Sequence, residues 1–500
     1  MKGSRWYLLI LLPFLSGVLL MSSSSHPAEA FTASDADSAM TAYVNTFYNG
    51  GTKYFYADTT HTNYNDFWKE AQSWDVVMDA YQRTGSATYR QMVDAVYDGF
   101  MARNSDMSTA CNTANSFTLT NNYNDDIGWW AKASIRAYQI TGEARYKNCA
   151  QRLFDSIYTY WDTGTLGGGI WWTRSNPTQK NVATNAPAVI TAANLSIALS
   201  NTGYLTKAQN IYNWVKATLT NQSGTVYDDY DAGTLHTWQF SYNYGTFIGA
   251  AVALYQATGN SSYLSDASAA ARVSLTNLTT NGILNDEGTG DAGGFKGIYV
   301  RYLAQYASVA NASQYSTFLQ KNASVAWSNR RSSDNLIGTN WAVEAPSGTL
   351  DVHTFGSAVA LLQDTPADGI TSLQAENGTL HNLGTEATNS GYHGSGYIAG
   401  WNQDGQWVDL SAHVTNAGSY RIILRFATGA GAASRYLYVN GSGVVNNLAF
   451  PGTGSWSSYS TVTVNNVSLN AGTNTISVIY NSSLGSSNYL NLDEITVIGQ

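Results

Sequence analysis

Between about residue 35 and residue 365, apolar side chains recur every three or four positions and are interrupted by polar, glycine-bearing connections. Trp74, Val77, Met78 and Tyr81 make one helical stripe, and Tyr89, Met92, Val93, Val96 and Phe100 make a second in the helix that follows. Past Leu362 the period shortens to two. Trp407 to Leu410, Tyr420 to Phe426, Tyr436 to Val439, Ser460 to Val464, Thr475 to Tyr480 and Glu494 to Ile498 read as strands separated by Gly, Asn and Ser. The pattern therefore predicts a helical unit over 31–364, a short linker over 365–370 around Pro366, and an all-β unit of jelly-roll size over 371–500.

The helical part repeats. Thr84-Gly85 with Tyr89, Thr141-Gly142 with Tyr146, Thr202-Gly203 with Tyr204, and Thr258-Gly259 with Tyr263 share one pattern, and Ala310-Asn311 with Tyr315 is a degenerate fifth copy. A spacing of about 55 residues suits two helices and two connections, so the unit is a helical hairpin whose first helix ends on a left-handed Gly or Asn. Helical segments before Gly50 and over Val352 to Leu362 supply a sixth hairpin from the two chain ends. The simplest architecture is a closed (α/α)6 toroid, with an open helical solenoid as the alternative.

Connections within hairpins are tight and those between hairpins are long, which puts every long loop on one rim. These loops carry Asn121 to Asp126, Gly167-Gly168-Gly169-Ile170-Trp171-Trp172, Tyr227-Asp228-Asp229-Tyr230-Asp231, Asn285-Asp286-Glu287 and Gly294-Phe295-Lys296. Function is expected there, on loops held by a rigid scaffold.

Composition narrows the partner. The net charge is −9, charged residues are 12% of the chain, and basic clusters are missing, which argues against nucleic acid and anionic membranes. Abundant Gly, Ser, Thr, Asn, Tyr and Trp suit neutral, hydroxyl-rich ligands. Lys2 and Arg5, the apolar run Trp6 to Met21 and Ala28-Glu29-Ala30 read as an export signal over 1–30, so a secreted, extracellular monomer is expected. Cys111 and Cys149 could form one disulfide there, and two cysteines build no cysteine-rich metal site.

Asp125 and Asp126 stand between the polar Asn121-Asn122-Tyr123-Asn124 and the apolar Ile127-Gly128-Trp129-Trp130. Adjacent acids at a helix start commonly cap it and favour its positive end. Amides on one side and rings on the other instead suit a sugar site. Two carboxyl groups are what glycosidic hydrolysis needs, one to protonate the leaving oxygen and one to attack the anomeric carbon or activate water. An ionised neighbour also raises the other's pKa and helps keep that acid protonated. Asp228 and Asp229 form a rival pair for which turn and cap roles are the simpler reading.

Asn-Asp-Asp-Ile-Gly-Trp-Trp, Gly-Gly-Ile-Trp-Trp some forty residues on, and Gly-Phe-Lys-Gly-Ile-Tyr-Val-Arg-Tyr-Leu near the last hairpins resemble glycoside hydrolase family 76 over about residues 35 to 365. The resemblance implies an (α/α)6 barrel and a retaining endo-α-1,6-mannanase with no catalytic cofactor. It makes Asp125 the nucleophile and Asp126 the general acid/base. Trp129, Trp130, Trp171 and Trp172 are candidates to stack on mannose, and Asn185, Asp228, Asp229, Tyr244 and Lys296 are candidates for substrate contacts. His236 and His353 could line the site, although no spacing of His and acids resembles a metal cage. A transglycosidase and a non-catalytic glycan-binding surface protein are the alternatives.

In the β unit, Leu373-Gln374-Ala375-Glu376, Gly396-Tyr397, Asp404-Gly405-Gln406-Trp407-Val408, Gly454-Ser455-Trp456 and Asn491-Leu492-Asp493 resemble carbohydrate-binding module family 6. That resemblance implies a glycan held by Tyr397 or Trp401, Trp456 and Asn491, and a structural calcium near Glu376 and Asp493, where hard oxygen ligands suit the ion. Trp407, lying within a strand, is expected in the core.

Overall fold

The computed structural model describes residues 31–310, 312–366, 370–414 and 417–499; the expected export signal lies outside them. Among the described residues there are thirteen α-helices: α1 (Ala33–Phe47), α2 (Phe67–Thr84), α3 (Ala87–Arg103), α4 (Ser105–Asn112), α5 (Asn124–Thr141), α6 (Ala144–Tyr158), α7 (Val182–Ala198), α8 (Thr202–Thr218), α9 (Ser241–Thr258), α10 (Ser262–Asn277), α11 (Phe295–Val309), α12 (Ser313–Ser328) and α13 (Val352–Asp364). None is long and apolar enough to cross a membrane.

Helices α2, α5, α7, α9, α11 and α13 pack side by side, and α13 returns to α2, so the ring is closed. Outside it, α3, α6, α8, α10 and α12 each back the inner helix that precedes them, while α1 backs α13. The sixth hairpin thus comes from both chain ends, and the solenoid alternative falls. Inner helices are buried on nearly every face, as in α9, where Ser241 to Leu254 are all covered. Close packing there needs glycine: a Cβ on Gly245 would lie 2.6 Å from the Tyr299 backbone of α11.

The Thr-Gly repeat has a local cause. Gly85, Gly142 and Gly259 end α2, α5 and α9 at φ of +64°, +76° and +69°, and their N–H groups donate to Tyr81, Tyr138 and Tyr255. The preceding Thr84, Thr141 and Thr258 donate their hydroxyls to the carbonyl four residues back and accept the N–H two residues on. Each Thr thus satisfies groups that the helix end leaves unpaired. The third copy differs from expectation. Thr202-Gly203 begins α8, and the left-handed residue after α7 is Ser200. Asn311 of the fifth copy lies outside the described residues.

Because each tight turn runs from an inner to an outer helix, all inner helices start at the opposite rim, beneath the long loops. Cys111 of α4 and Cys149 of α6 form a disulfide on the outer layer.

The β unit is a two-sheet sandwich. One sheet orders Gly384–Glu386, Tyr397–Trp401, Leu490–Gly499, Gly418–Ala427 and Ser460–Leu469, with Ile370–Gln374 also pairing on Leu490–Gly499. The other orders Ser442–Phe450, Ala433–Val439, Gly472–Ile479, Trp407–Val414 and Thr379–His381. Alternate residues such as Val408, Leu410, Ile422, Leu424, Ile476 and Val478 fill the space between them. The first sheet turns Arg421, Ile423, Glu494 and Thr496 towards the tight-turn end of the toroid, across a cavity of about 710 Å³.

Candidate active site

Asp125 and Asp126 occupy the first turn of α5, an inner helix, at the long-loop rim. No side chain caps the helix from Tyr123; the Asp125 carboxylate instead accepts the Asp126 N–H at 3.0 Å. The capping reading is therefore partly right, since this bond satisfies one of the free N–H groups of the first turn. Asp126 accepts Asn121 Nδ2 at 2.8 Å. Among the described residues neither forms an ion pair. Burial, then the neighbouring Asp126 charge, pushes Asp125 up to about 7, while the Trp172 indole N–H opposes the shift. Burial raises Asp126 to about 6, with Asn121 opposing and the Asp66 and Asp291 carboxylates adding to the rise.

Surrounding groups come from the starts of other inner helices. Asp66 caps α2 and accepts the Phe67 N–H at 2.7 Å. Trp68 lies 6.2 Å from Trp129 and 5.5 Å from His353, ring to ring. Lys69 pairs with Asp291 at 2.9 Å. Burial depresses the His353 imidazole to about 3, so it is neutral at ordinary pH. Tyr242 of α9 donates its hydroxyl to Asp228 Oδ1 and feels the charge of Asp125. Burial raises Asp228 to about 6 despite that bond. Sequence reading missed Asp66, Trp68, Tyr242 and Asp291. The same rule that pointed to Asp125, an acid at the start of an inner helix beside aromatic rings, finds the first two.

The expected substrate residues divide. Trp172 packs against the exposed Tyr123 at 5.1 Å, ring to ring. Trp171 is partly exposed, with Lys180 Nζ 4.3 Å from its ring centre. Trp129 is almost covered, between Trp68 and the Lys132 ammonium. Four expectations are corrected by burial. Trp130 is a core residue stacked at 3.6 Å on Phe100, its indole N–H spent on the Phe67 carbonyl. Asn185 is wholly buried and pins the backbone of Ile170 through both amide atoms, at 2.7 and 3.0 Å. Tyr244 is wholly buried and donates to Gln239. Lys296 is buried 4.1 Å from the Trp341 ring centre and donates to the Thr339 carbonyl, with burial lowering it to about 8. Asp229, buried in a short strand, bonds His236 Nδ1 at 2.8 Å, which fits its structural reading.

In the β unit, Tyr397 and Trp401 are wholly buried, correcting their expected role as sugar platforms. Tyr397 takes a bond from Asn389 Nδ2 at 2.8 Å, and Trp401 donates to the Gln406 carbonyl beneath the Arg435 guanidinium. Asn491 is also buried. Trp456 keeps part of its ring exposed over Gly429, where a Cβ would come within 2.7 Å of the indole.

Residues 371–498 match the profile of carbohydrate binding module family 35, which corrects the expectation of family 6. Residues 32–373 match that of Glycosyl hydrolase family 76. The GH76A alpha-1,6-mannanase from Salegentibacter sp. HEL1_6 superposes with a TM-score of 0.60 at 34% identity, covering 66% of this chain and 98% of that one. The Lin0763 protein from Listeria innocua gives 0.60 at 28% identity, covering 66% and 96%. Mannan endo-1,6-alpha-mannosidase DFG5 of Saccharomyces cerevisiae is 28% identical over 152 residues, 27% of this chain and 33% of that protein. The chain spans about half of a further relative in Schizosaccharomyces pombe, 53% of its length at 26% identity. A closed ring of inner helices opening on paired acids thus coincides with a profile match over most of the chain, and the chain belongs to Glycosyl hydrolase family 76.

Proposed function

We propose that the chain is a secreted endo-acting hydrolase of α-1,6-mannosidic bonds in mannan, retaining anomeric configuration through a covalent glycosyl-enzyme. The carrying observation is that Asp125 and Asp126 meet at the rim without a cationic partner and are both held near the pH at which a carboxyl can give or take a proton. A variant of the Salegentibacter mannanase altered at two consecutive aspartates is described as inactive and in complex with alpha-1,6-mannotriose, which supports the reading of this pair. The partly exposed rings of Trp68 and Trp172, with the neutral His353 packed against Trp68, offer an uncharged wall suited to a sugar.

The order of roles, Asp125 as nucleophile and Asp126 as acid/base, follows the family resemblance. The proton affinities run the other way, Asp125 about 7 against Asp126 about 6. We keep the resemblance order, because titration values of interacting carboxyls belong to the pair and the position of the leaving oxygen fixes which one donates. Reducing-end release from yeast α-mannan tests the activity, and proton NMR of the first-formed anomer tests retention. Asp126→Ala should spare substrates with activated leaving groups relative to mannan, whereas Asp125→Ala abolishes both; equal losses overturn the order.

A structural calcium belongs to the same proposal. Gln374 Oε1 and Glu376 Oε2 are buried oxygens without hydrogen-bond partners, whereas the buried Asp493 carboxylate is already paired with the Arg425 guanidinium and bonded to the His393 N–H. Gln374 and Glu376 supply oxygen of the kind a hard cation takes, and Asp493 would join them only by giving up Arg425. A fall in the module's melting temperature on chelation, reversed by calcium, is the expected result.

A further inference from the structure

The sandwich's two outer faces differ. That of the six-stranded sheet looks onto the toroid. That of the five-stranded sheet carries aromatic side chains to the outside. Strand register puts His381, Trp407, Ile479 and Tyr436 in one row across four strands, and Thr379, Asp409, Ser477 and Tyr438 in the next. Trp407 is not in the core as its strand position suggested. Val408 takes the inward place, and the partly exposed Trp407 donates its indole N–H to Asp409 at 3.1 Å. His381 lies flat on that indole, centroids 4.0 Å apart and planes at 11°, and its Nε2 is 3.0 Å from the same carboxylate. Ser477 donates to the other carboxylate oxygen at 2.5 Å. Two strands away, the partly exposed rings of Tyr436 and Tyr438 meet at 4.6 Å and 57°.

This surface has the chemistry of a sugar platform. Trp407 is held by two partners, Asp409 and His381, so little rotamer freedom remains to be lost when a ligand stacks on the row. The tyrosine pair offers ring faces with hydroxyl groups at their edge. Arg435 is the one Lys or Arg on these five strands, and it is wholly buried, so no exposed cation is there for an anionic polymer. Asp409 is engaged by Trp407 and Ser477 and lies 3.0 Å from His381 Nε2. A row across four antiparallel strands spans about 14 Å, long enough for consecutive sugar rings.

We propose that this outward face is a carbohydrate-binding surface separate from the loop that carries Trp456, taking a chain of neutral pyranose sugars across the strands with Trp407 and Tyr436 as stacking residues. It does not depend on the mannanase reading. The test is affinity electrophoresis of the full chain, carrying Asp125→Asn and Asp126→Asn so that polymer is not cut, in gels containing yeast α-mannan, laminarin or xylan. Retardation in at least one gel, weakened about three- to tenfold by Tyr436→Ala and by Trp407→Ala, supports the surface. Dependence in the mannan gel identifies the substrate class of the relatives as ligand, and dependence in laminarin or xylan identifies a co-occurring wall glycan. Tyr436 lies outside the Asp409 network, so its replacement reads binding even where Trp407→Ala fails to fold. No retardation by any of the three glycans, or retardation unchanged in Tyr436→Ala at an unchanged melting temperature, overturns the proposal.

Discussion

Two aspartate pairs lie within one ring of inner helices and are treated in opposite ways. Asp125 and Asp126, at the start of α5, have no cation and are raised to about 7 and about 6, burial being the largest cause for both. Asp75 and Asp79, one turn apart in the middle of α2, are wholly covered where Asp125 and Asp126 are half-buried, and they meet Lys132, Arg136 and Arg301. The three cations overcome the cost of burial and hold Asp75 down at about 2. What separates a reactive carboxyl from a structural one here is the charge placed opposite it. Burial alone raises a carboxyl's pKa and leaves it protonable; burial with cations fixes it as an anion.

The largest effect expected from breaking this contrast is on activity. Asp125→Asn should lower kcat/KM on α-mannan by roughly 10⁴-fold or more, because under the proposed mechanism it removes the attacking group. The same change should raise stability at neutral pH. Asp125 titrates higher folded than unfolded, so the folded chain binds the extra proton between about 4 and 7 and loses stability as pH rises through that window. An amide has no such penalty. A melting temperature at pH 7.5 that falls in Asp125→Asn would contradict this account.

Asp75→Ala should act in the reverse sense. It leaves the Lys132 ammonium buried without its carboxylate, a cost of about 3–5 kcal/mol, read as a fall in melting temperature. The pH dependence also reverses. Asp75 titrates lower folded than unfolded, so its stabilisation is full above the ordinary aspartate value near 4 and is lost as pH falls towards 2. The parent chain should therefore show acid unfolding that Asp75→Ala weakens.

The difference between the pairs explains how much could be read in the sequence. Asp125 and Asp126 were legible because a rim residue is marked by local signals, a loop before it, a helix start and flanking rings. The closed ring was legible from the repeat spacing and the Thr-Gly stops. Asp75 and Asp79 were not, since their partners stand 57 to 222 residues away on α5 and α11 and only the packing of the barrel brings them together. Trp130, Asn185, Tyr244 and Lys296 failed for a related reason. Motif membership marks a neighbourhood, while the helix face decides whether a side chain meets the cleft or the core. Trp407 failed in the opposite direction, because strand alternation leaves the inward phase open until the register is known.

The smallest change in the series adjusts one reactive acid without removing it. Asn121 donates to Asp126 Oδ2 at 2.8 Å, and this bond stabilises the ionised form. Asn121→Ala should therefore move Asp126 further upward, since burial and the Asp66 and Asp291 charges then act unopposed. The form of the pair that holds one proton is active under either order of roles, so Asn121→Ala should move the rising limb of kcat/KM on α-mannan, near pH 6 in the parent, to higher pH. The same limb moves under both orders, and the height of the optimum distinguishes them: it rises in Asn121→Ala if Asp126 holds the working proton and falls if Asp125 does.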